Sequence, residues 1–201
     1  MTGQSKTEII LELLEKKGIV RAKEIRELGI HPQYIKQLEQ QGQIIRVGHG
    51  VYIPTDHDFT ENQSLAETSV RVPHGVICLL SALRFHDLTT QAPFEIWLAI
   101  SNSARTPSED LLPLRIVYMS GDSFQTGIDE HLIDAHSVKV FNIPKTLADC
   151  FKYRNKIGLD VAIEALKESL NQNKVNIDSL WHYAKICRVQ NVMRPYLESL
   201  L

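Results

Sequence analysis

The residues best suited to chemistry in this 201-residue sequence lie in a short polar segment near the N-terminus. Between Pro32 and Gln41, the apolar residues Ile35 and Leu38 are three positions apart and share one face of a helix. Gln and Lys side chains carry donors and acceptors that match base edges in the major groove of DNA. The segment therefore predicts a helix that reads bases, with these residues facing the groove: Gln33, Tyr34, Lys36, Gln37 and Gln40.

A predicted β-hairpin follows this helix. Residues 43–47 and 51–53 are β-prone runs joined by Gly48-His49-Gly50, a turn sequence that supports positive φ angles at two sites. On such a hairpin, Arg46 and His49 are predicted to contact the DNA backbone or the adjacent minor groove. Tyr34 is predicted to pack on a phosphate or a thymine methyl group.

The elements that must position these residues follow the order of a winged helix-turn-helix. Ser5 and Glu8 have the spacing of a capping box and predict the start of a first helix that Gly18 ends. Ile25 and Leu28 share the buried face of a second helix over residues 21–28, which Gly29 caps. Pro32 then starts the third helix. A Gln-rich helix by itself is typical of a solvated surface, but the whole order favours nucleic-acid binding by residues 1–57.

Charge and composition limit the kinds of partner. The net charge is −2, but residues 1–57 contain 8 Lys/Arg and 7 Asp/Glu, a net of +1, whereas residues 58–201 have a net of −3 from 14 and 17. This weak basicity predicts modest non-specific DNA affinity and specificity that depends on groove contacts. The sequence lacks a run of eighteen apolar residues and a signal-peptide profile, which predicts a cytoplasmic protein without a membrane segment.

Residues 63–201 are predicted to form a second domain, separated from the first by the polar segment 55–62. The overall prediction is an α+β protein whose C-terminal domain has a small, mainly antiparallel sheet and several helices. The predicted strands cover 94–100, 114–119, 128–133 and 138–141. The predicted helices cover 63–72, 75–88, 144–153, 159–172, 177–187 and 192–200. Three isolated cysteines in apolar surroundings are predicted to be buried thiols: Cys78, Cys150 and Cys187.

A second basic cluster occurs in the predicted C-terminal domain. It is opposed locally only by Asp149, in a chain that is otherwise slightly acidic. A solvated helix face explains it as well as a second contact with nucleic acid or with a protein partner. Its members are Lys139, Lys145, Lys152, Arg154 and Lys156.

Signatures of enzymes are weak, and we predict neither catalysis nor a cofactor. The motifs of serine hydrolases, phosphate-binding loops, zinc proteases and dinucleotide-binding folds do not occur. His131 and His136 have a spacing that does not suit one metal ion. A nuclease fused to a DNA-binding module remains an alternative, with scattered carboxylates at Glu95, Asp122, Asp129 and Asp134. An adaptor is another, using helices rich in Leu166, Leu170, Leu180 and Leu197.

The sequence resembles the AbiEi-type antitoxins of type IV, abortive-infection toxin–antitoxin systems. In the N-terminal part, the resemblance depends on Leu38, Gly42, Arg46, Gly50 and Tyr52. In the C-terminal part, it depends on Leu83, His86, Leu88, Thr146, Leu147, Asp149, Arg154, Gly158 and Ala165. The resemblance implies a phage-defence autorepressor that binds double-stranded DNA at repeats in its own promoter. It also implies an antitoxin that counters a nucleotidyltransferase-like toxin without a stable complex.

Overall fold

The protein forms two compact units, described by a computed structural model over residues 5–48, 50–56, 62–107 and 113–200. The N-terminal unit comprises the described residues up to Pro73 and the segment His131–Val138. The C-terminal unit comprises the described residues of His74–Pro107, Pro113–Glu130 and Lys139–Leu201. Residues 63–73, which the sequence analysis placed in the second domain, thus group with the N-terminal unit.

The N-terminal unit contains four helices and three strands among its described residues up to Pro73. In chain order these elements are α1 (Lys6–Lys17), β1 (Val20–Arg21), α2 (Ala22–Glu27), α3 (Pro32–Gln40), β2 (Ile44–Gly48), β3 (Val51–Pro54) and α4 (Gln63–Arg71). The strands pair antiparallel in the order β1-β3-β2. The predicted helices and the predicted hairpin are therefore confirmed as secondary-structure elements.

Local signals in the sequence account for the ends of α1. The Glu8 N–H donates to Ser5 Oγ at 3.2 Å, and the Ser5 N–H donates to Glu8 Oε2 at 2.8 Å. These two bonds satisfy backbone donors that have no partner within the helix. At the other end, the Gly18 N–H donates to the Leu14 carbonyl at 2.7 Å. The capping box predicted from the sequence is confirmed.

Replacing Ser5 by alanine is expected to lower the free energy of unfolding by about 1 kcal/mol, because the Glu8 N–H loses its acceptor. Chemical denaturation of the full-length protein measures this change. A Ser5→Thr variant keeps the hydroxyl and should stay close to the wild type. Equal losses in both variants would contradict the capping role of the Ser5 side chain.

The core of the N-terminal unit lies between its helices and the hairpin. Its buried residues are Ile10, Leu14, Val20, Ile25, Ile30, Ile35, Leu38 and Ile44. The expectation that Leu28 also faces this core is wrong, since Leu28 is 53% exposed. Helix α2 ends at Glu27, so Leu28 no longer follows the helical periodicity, and Ile30 takes the buried place instead.

The remaining strands form a second sheet, and the remaining helices follow or connect them. They are β4 (Val76–Ile77), α5 (Leu79–Phe85), β5 (Ile96–Ser101), β6 (Leu114–Met119), α6 (Asp122–Gln125), β7 (Ile128–Ile133), β8 (His136–Phe141), α7 (Ile143–Lys152), α8 (Arg154–Ile157), α9 (Leu159–Asn171), α10 (Ile177–Ile186) and α11 (Gln190–Leu200). The strand order of this sheet is β6-β5-β4-β8-β7. Together the two units make a mixed α+β protein, as predicted.

Two expectations for this sheet are wrong. The pairing is not mainly antiparallel, because β5 pairs with β6 and β4 with β8 in parallel, while β4 and β5 are antiparallel. Parallel neighbours need a connection of about a dozen residues or more, and the sequence between β5 and β6 is long enough. The single helix predicted over 75–88 is in fact strand β4 followed by the shorter helix α5. Val76 and Ile77 pair with β5 in the sheet and therefore do not take part in the helix.

Across the residues that the structure describes, none of the helices combines the length and the apolar character needed to cross a membrane.

Candidate nucleic-acid interface

Helix α3 presents one apolar face and one polar face. Ile35 and Leu38 are 3% and 0% exposed and belong to the core of the N-terminal unit. Four polar residues on the other side are exposed and follow the i, i+3, i+4, i+7 spacing of a single helical stripe. We call these residues the polar stripe of α3: Gln33, Lys36, Gln37 and Gln40.

The start of α3 has the geometry that its sequence predicts. Pro32 is the first helical residue, where a missing N–H leaves no hydrogen bond unmade. The His31 side chain caps the helix, because its Nδ1 accepts the Gln33 N–H at 3.2 Å. The direction of the polar stripe is therefore set by a defined N-terminus and by two buried side chains.

The other three predicted contact residues have different surroundings. Tyr34 is half-buried and packs against the core of the N-terminal unit, so only part of its ring is exposed. Its i, i+4 relation to Leu38 places it on the side of α3 that borders the core. Arg46 is exposed on β2, and its Nε donates to the Gly48 carbonyl at 3.0 Å. His49 lies outside the described residues.

A basic concavity lies beside the start of α3. Its volume is about 550 Å³, and we call it the basic pocket. Among the described residues that line it, five are cationic and none is acidic, although the cations come from four different elements. The lining residues are Arg21, Ala22, Lys23, Arg26, Pro32, Arg46, Gly50, Tyr52 and Arg71.

The carboxylates nearest in sequence to the cations of the pocket each have a cationic partner. Glu24 forms an ion pair with Lys17 and accepts the Arg21 N–H at 3.1 Å. Burial raises the pKa of Glu24, but the hydrogen bonds from Lys17 and from the Arg21 backbone outweigh that effect and lower it overall. Glu24 is thus a charged group that Lys17 neutralises, and its second role is to hold the start of α2.

Two further carboxylates lie 3.8 Å from pocket cations. Glu27 is at this distance from Lys23, and both side chains are largely exposed, so the pair contributes little. Glu67 is at the same distance from Arg71 within α4. Burial raises the pKa of the Glu67 carboxyl, and the Arg71 charge offsets only part of that rise. Neither carboxylate lines the pocket.

Gly48 lies next to two arginines of the pocket, Arg46 on β2 and Arg71 on α4. The register of β2 against β3 shifts between Arg46 and Gly48. A Cβ atom at Gly48 would lie 3.1 Å from Arg71 Nε and 3.3 Å from Arg71 Cδ. A side chain at position 48 would therefore require Arg71 to shift by a few tenths of an ångström. Of the two sites where the turn is expected to have a positive φ angle, Gly50 has one, at 69°.

Sequence reasoning identified Arg46 but missed the other four cations of the pocket, which are Arg21, Lys23, Arg26 and Arg71. Arg21, Lys23 and Arg26 lie within six positions of one another, whereas Arg71 lies far along the chain. Only the packing of α2, the hairpin and α4 brings them together. The close spacing of Arg21, Lys23 and Arg26 is a local signal, but the sequence does not indicate that Arg46 and Arg71 lie beside them.

The second basic cluster is only partly accessible. Including Lys145 was wrong, because its side chain is 0% exposed, forms an ion pair with Asp149 and lies 4.0 Å from the centroid of the Phe141 ring. Lys152 and Lys156 are exposed, whereas Lys139 is half-buried. Arg154 is also half-buried and donates to the Phe151 carbonyl at 2.9 Å.

The chemistry of the alternatives finds little support in the part of the chain that the structure describes. It contains no group of three or more His, Cys, Asp or Glu side chains that could hold a metal ion. The prediction of buried free thiols is confirmed for all three cysteines. Burial, with the nearby Asp149 charge, raises the pKa of Cys187 to about 12, so this thiol is unreactive at neutral pH.

The leucines proposed for an adaptor are core residues. Leu166 and Leu180 are 0% exposed, and Leu197 is 1% exposed. Leu170 is half-buried and packs against the same core. These side chains stabilise the C-terminal unit and do not form an accessible apolar surface for a partner.

Comparison with known proteins supports the resemblance drawn from the sequence. Residues 8–55 match the family described as "Transcriptional regulator, AbiEi antitoxin", which confirms that resemblance over the elements from α1 to β3. Among solved structures, the RV2827C protein from Mycobacterium tuberculosis is similar, with a TM-score of 0.63 and 11% identity over 88% of this chain and 70% of that chain. At this identity the likeness concerns the fold alone. None of the curated proteins matches the sequence.

Proposed function

We propose that the N-terminal unit is a winged helix-turn-helix that binds double-stranded DNA and makes the protein a sequence-specific transcriptional regulator. Helices α2 and α3 are the helix-turn-helix, and the β2–β3 hairpin is the wing. The observation that carries this proposal is the polar stripe of α3, which is exposed along its whole length while Ile35 and Leu38 are buried. A helix of this kind enters the major groove and reads base edges through its outer side chains.

The match of residues 8–55 to a family of AbiEi antitoxins extends the proposal. The protein represses its own operon in the cytoplasm by binding promoter repeats, and it counters a nucleotidyltransferase-like toxin encoded beside it, without a stable complex. The antitoxin activity resides in the C-terminal unit. Co-expression with the neighbouring gene product tests this part, since the full-length protein should relieve its toxicity. A toxic neighbour that is unaffected by the protein would contradict the antitoxin role.

The DNA-binding part is tested by an electrophoretic mobility shift assay at two salt concentrations. The probes are the region upstream of the protein's own gene and an unrelated duplex of equal length. A specific regulator binds the first probe more tightly at both salt concentrations, although both affinities fall as salt rises. Equal affinity for the two probes would contradict sequence-specific binding.

Within the polar stripe, Gln37 is predicted to read a base and Lys36 to contact a phosphate. Gln37→Ala should weaken binding to the operator by about 1–3 kcal/mol, with a smaller effect on unrelated DNA. Lys36→Ala should weaken binding to all sequences, because a phosphate contact carries no sequence information. Titrations with both probes measure the two effects. An unchanged operator preference in the Gln37→Ala variant would refute the role assigned to Gln37.

The accessible part of the second basic cluster is a second surface for contact with nucleic acid or a protein partner. Lys152 and Lys156 are its exposed residues, and Lys139 and Arg154 are its half-buried ones. A second cationic surface would compensate for the weak net charge of residues 1–57. Lys145 is buried and does not take part in this surface, but the exposed Lys152 and Lys156 supply its charge.

A further inference from the structure

The basic pocket has a charge that the reading of bases by α3 does not explain. Five cationic side chains line about 550 Å³, and the described part of the lining includes no carboxylate. Like charges that share a small volume repel one another, and the repulsion is stronger near a protein surface than in bulk water. Glu27 and Glu67, each 3.8 Å from one of these cations, offset part of this repulsion, and an anion in the pocket would offset more of it. The composition of the pocket therefore points to an anionic ligand.

The types of the cations narrow the chemistry of that anion. Four of the five are arginines, namely Arg21, Arg26, Arg46 and Arg71. The planar guanidinium group donates two parallel hydrogen bonds to the oxygens of a phosphate and keeps its charge at every physiological pH. Several guanidinium groups around one space match a tetrahedral group with several anionic oxygens better than they match a single planar carboxylate.

The position of the pocket indicates where the phosphate comes from. Pro32, the first residue of α3, belongs to the lining, so the pocket borders the helix that carries the polar stripe. Arg46 and Gly50 also line the pocket, so it borders the β2–β3 hairpin as well. When a helix lies in the major groove, the sugar–phosphate backbone runs past the ends of that helix, and proteins place cations there.

The hairpin is built to hold two of the arginines in place. The Gly48 carbonyl accepts the hydrogen bond from Arg46 Nε at 3.0 Å. The missing side chain of Gly48 leaves room for Arg71, whose Nε would be 3.1 Å from an added Cβ. Arg71 comes from α4, beyond the residues 8–55 that match the antitoxin family, and its side chain is only 8% exposed.

From these observations, and resting on the proposed function, we infer that the basic pocket is a phosphate-binding site that Gly48 organises. Its ligand is a phosphate of the DNA strand that α3 contacts. The same chemistry would accept the phosphate of a free phosphorylated compound, and the experiment below separates the two sources.

The test compares two double variants that remove equal charge from the N-terminal unit. Arg21→Gln with Arg26→Gln removes two cations from the pocket. Lys6→Gln with Lys16→Gln removes two exposed cations of α1 that do not line it. The affinity of the full-length protein for its upstream DNA is measured over a range of salt concentrations. Circular dichroism and thermal unfolding confirm that each variant is folded.

For the pocket variant, the slope of log Kobs against log salt is expected to become shallower by about one for each phosphate that the protein no longer neutralises. The preference for the operator over unrelated DNA should stay unchanged, because a phosphate contact positions the protein and does not read sequence. The α1 variant should keep the wild-type slope. Equal slopes in wild type and both variants, with DNA binding intact, would overturn the DNA phosphate as the ligand of the pocket and leave the proposed function standing.

Gly48→Ala tests how the site is organised without changing any charge. The added methyl group presses on Arg71 and should make the salt slope shallower, although the number of cations is the same. A purely structural role of Gly48 would alter thermal stability and leave the slope unchanged, which would contradict its role in positioning the arginines.

Inorganic phosphate and pyrophosphate, added at constant ionic strength, identify the source of the ligand. A rise in melting temperature that the pocket variant lacks, together with an unaltered salt slope for DNA, would assign the site to a free phosphorylated compound. No effect of either anion, with the altered salt slope, would support the DNA backbone. If the wild type shows no operator preference, the proposed function fails, and the anion titration still decides whether the pocket binds phosphate.

Discussion

Replacing Asp149 by alanine is expected to lower the free energy of unfolding by about 3–5 kcal/mol. Asp149 and Lys145 are both 0% exposed and form an ion pair one turn apart on α7. Removing the carboxylate leaves the Lys145 ammonium buried without its counter-charge, and it also removes the acceptor of the Cys187 thiol, whose Sγ lies 3.2 Å from Asp149 Oδ1. Urea denaturation followed by circular dichroism measures the decrease.

A double replacement serves as the control for this result. Changing Lys145 to methionine and Asp149 to leucine removes both charges and keeps similar side-chain volumes. Because the cost of burying the pair then disappears together with its attraction, the double variant should be close to the wild type or more stable than it. If Asp149→Ala had the small effect of a surface substitution, the pair would not be the buried ionic contact inferred here.

The second large effect is expected at Leu38, on the buried face of α3. Leu38→Ala should lower the free energy of unfolding by about 2–5 kcal/mol, because it leaves a cavity in the core of the N-terminal unit. Helix α3 is held in its orientation by this side chain and by Ile35, so operator binding should disappear at temperatures where the variant unfolds. Thermal unfolding and the mobility shift assay, run at matched temperatures, measure both consequences.

Gln40→Ala is a suitable control for Leu38→Ala, since Gln40 lies on the exposed side of the same helix. Its effect on stability should stay within about 0.5 kcal/mol. The comparison separates the effect of core packing from that of a polar side chain. A Leu38→Ala variant that is as stable as Gln40→Ala would show that α3 is not anchored in the core as described.

For this protein, secondary structure followed the sequence most closely where the signals were local. The capping box of Ser5 and Glu8 and the proline at the start of α3 involve residues within a few positions of one another. Their hydrogen bonds and backbone limits act before any tertiary contact forms, so the sequence alone determined where these elements begin. The helical spacing of Ile35 and Leu38 likewise determined which side of α3 faces the core.

Other features depended on residues far apart in the chain, and the tertiary structure alone decided them. Strands β5 and β6 are parallel, which requires a long connection between them. The pattern of apolar residues within a strand does not indicate whether it runs parallel or antiparallel to its neighbour. Lys145 resembles a surface lysine in the sequence, but packing around α7 buries it beside Asp149. The basic pocket gathers cations from Arg21 to Arg71, because helices and hairpin fold against one another. Such groupings arise from packing, which local sequence signals do not encode.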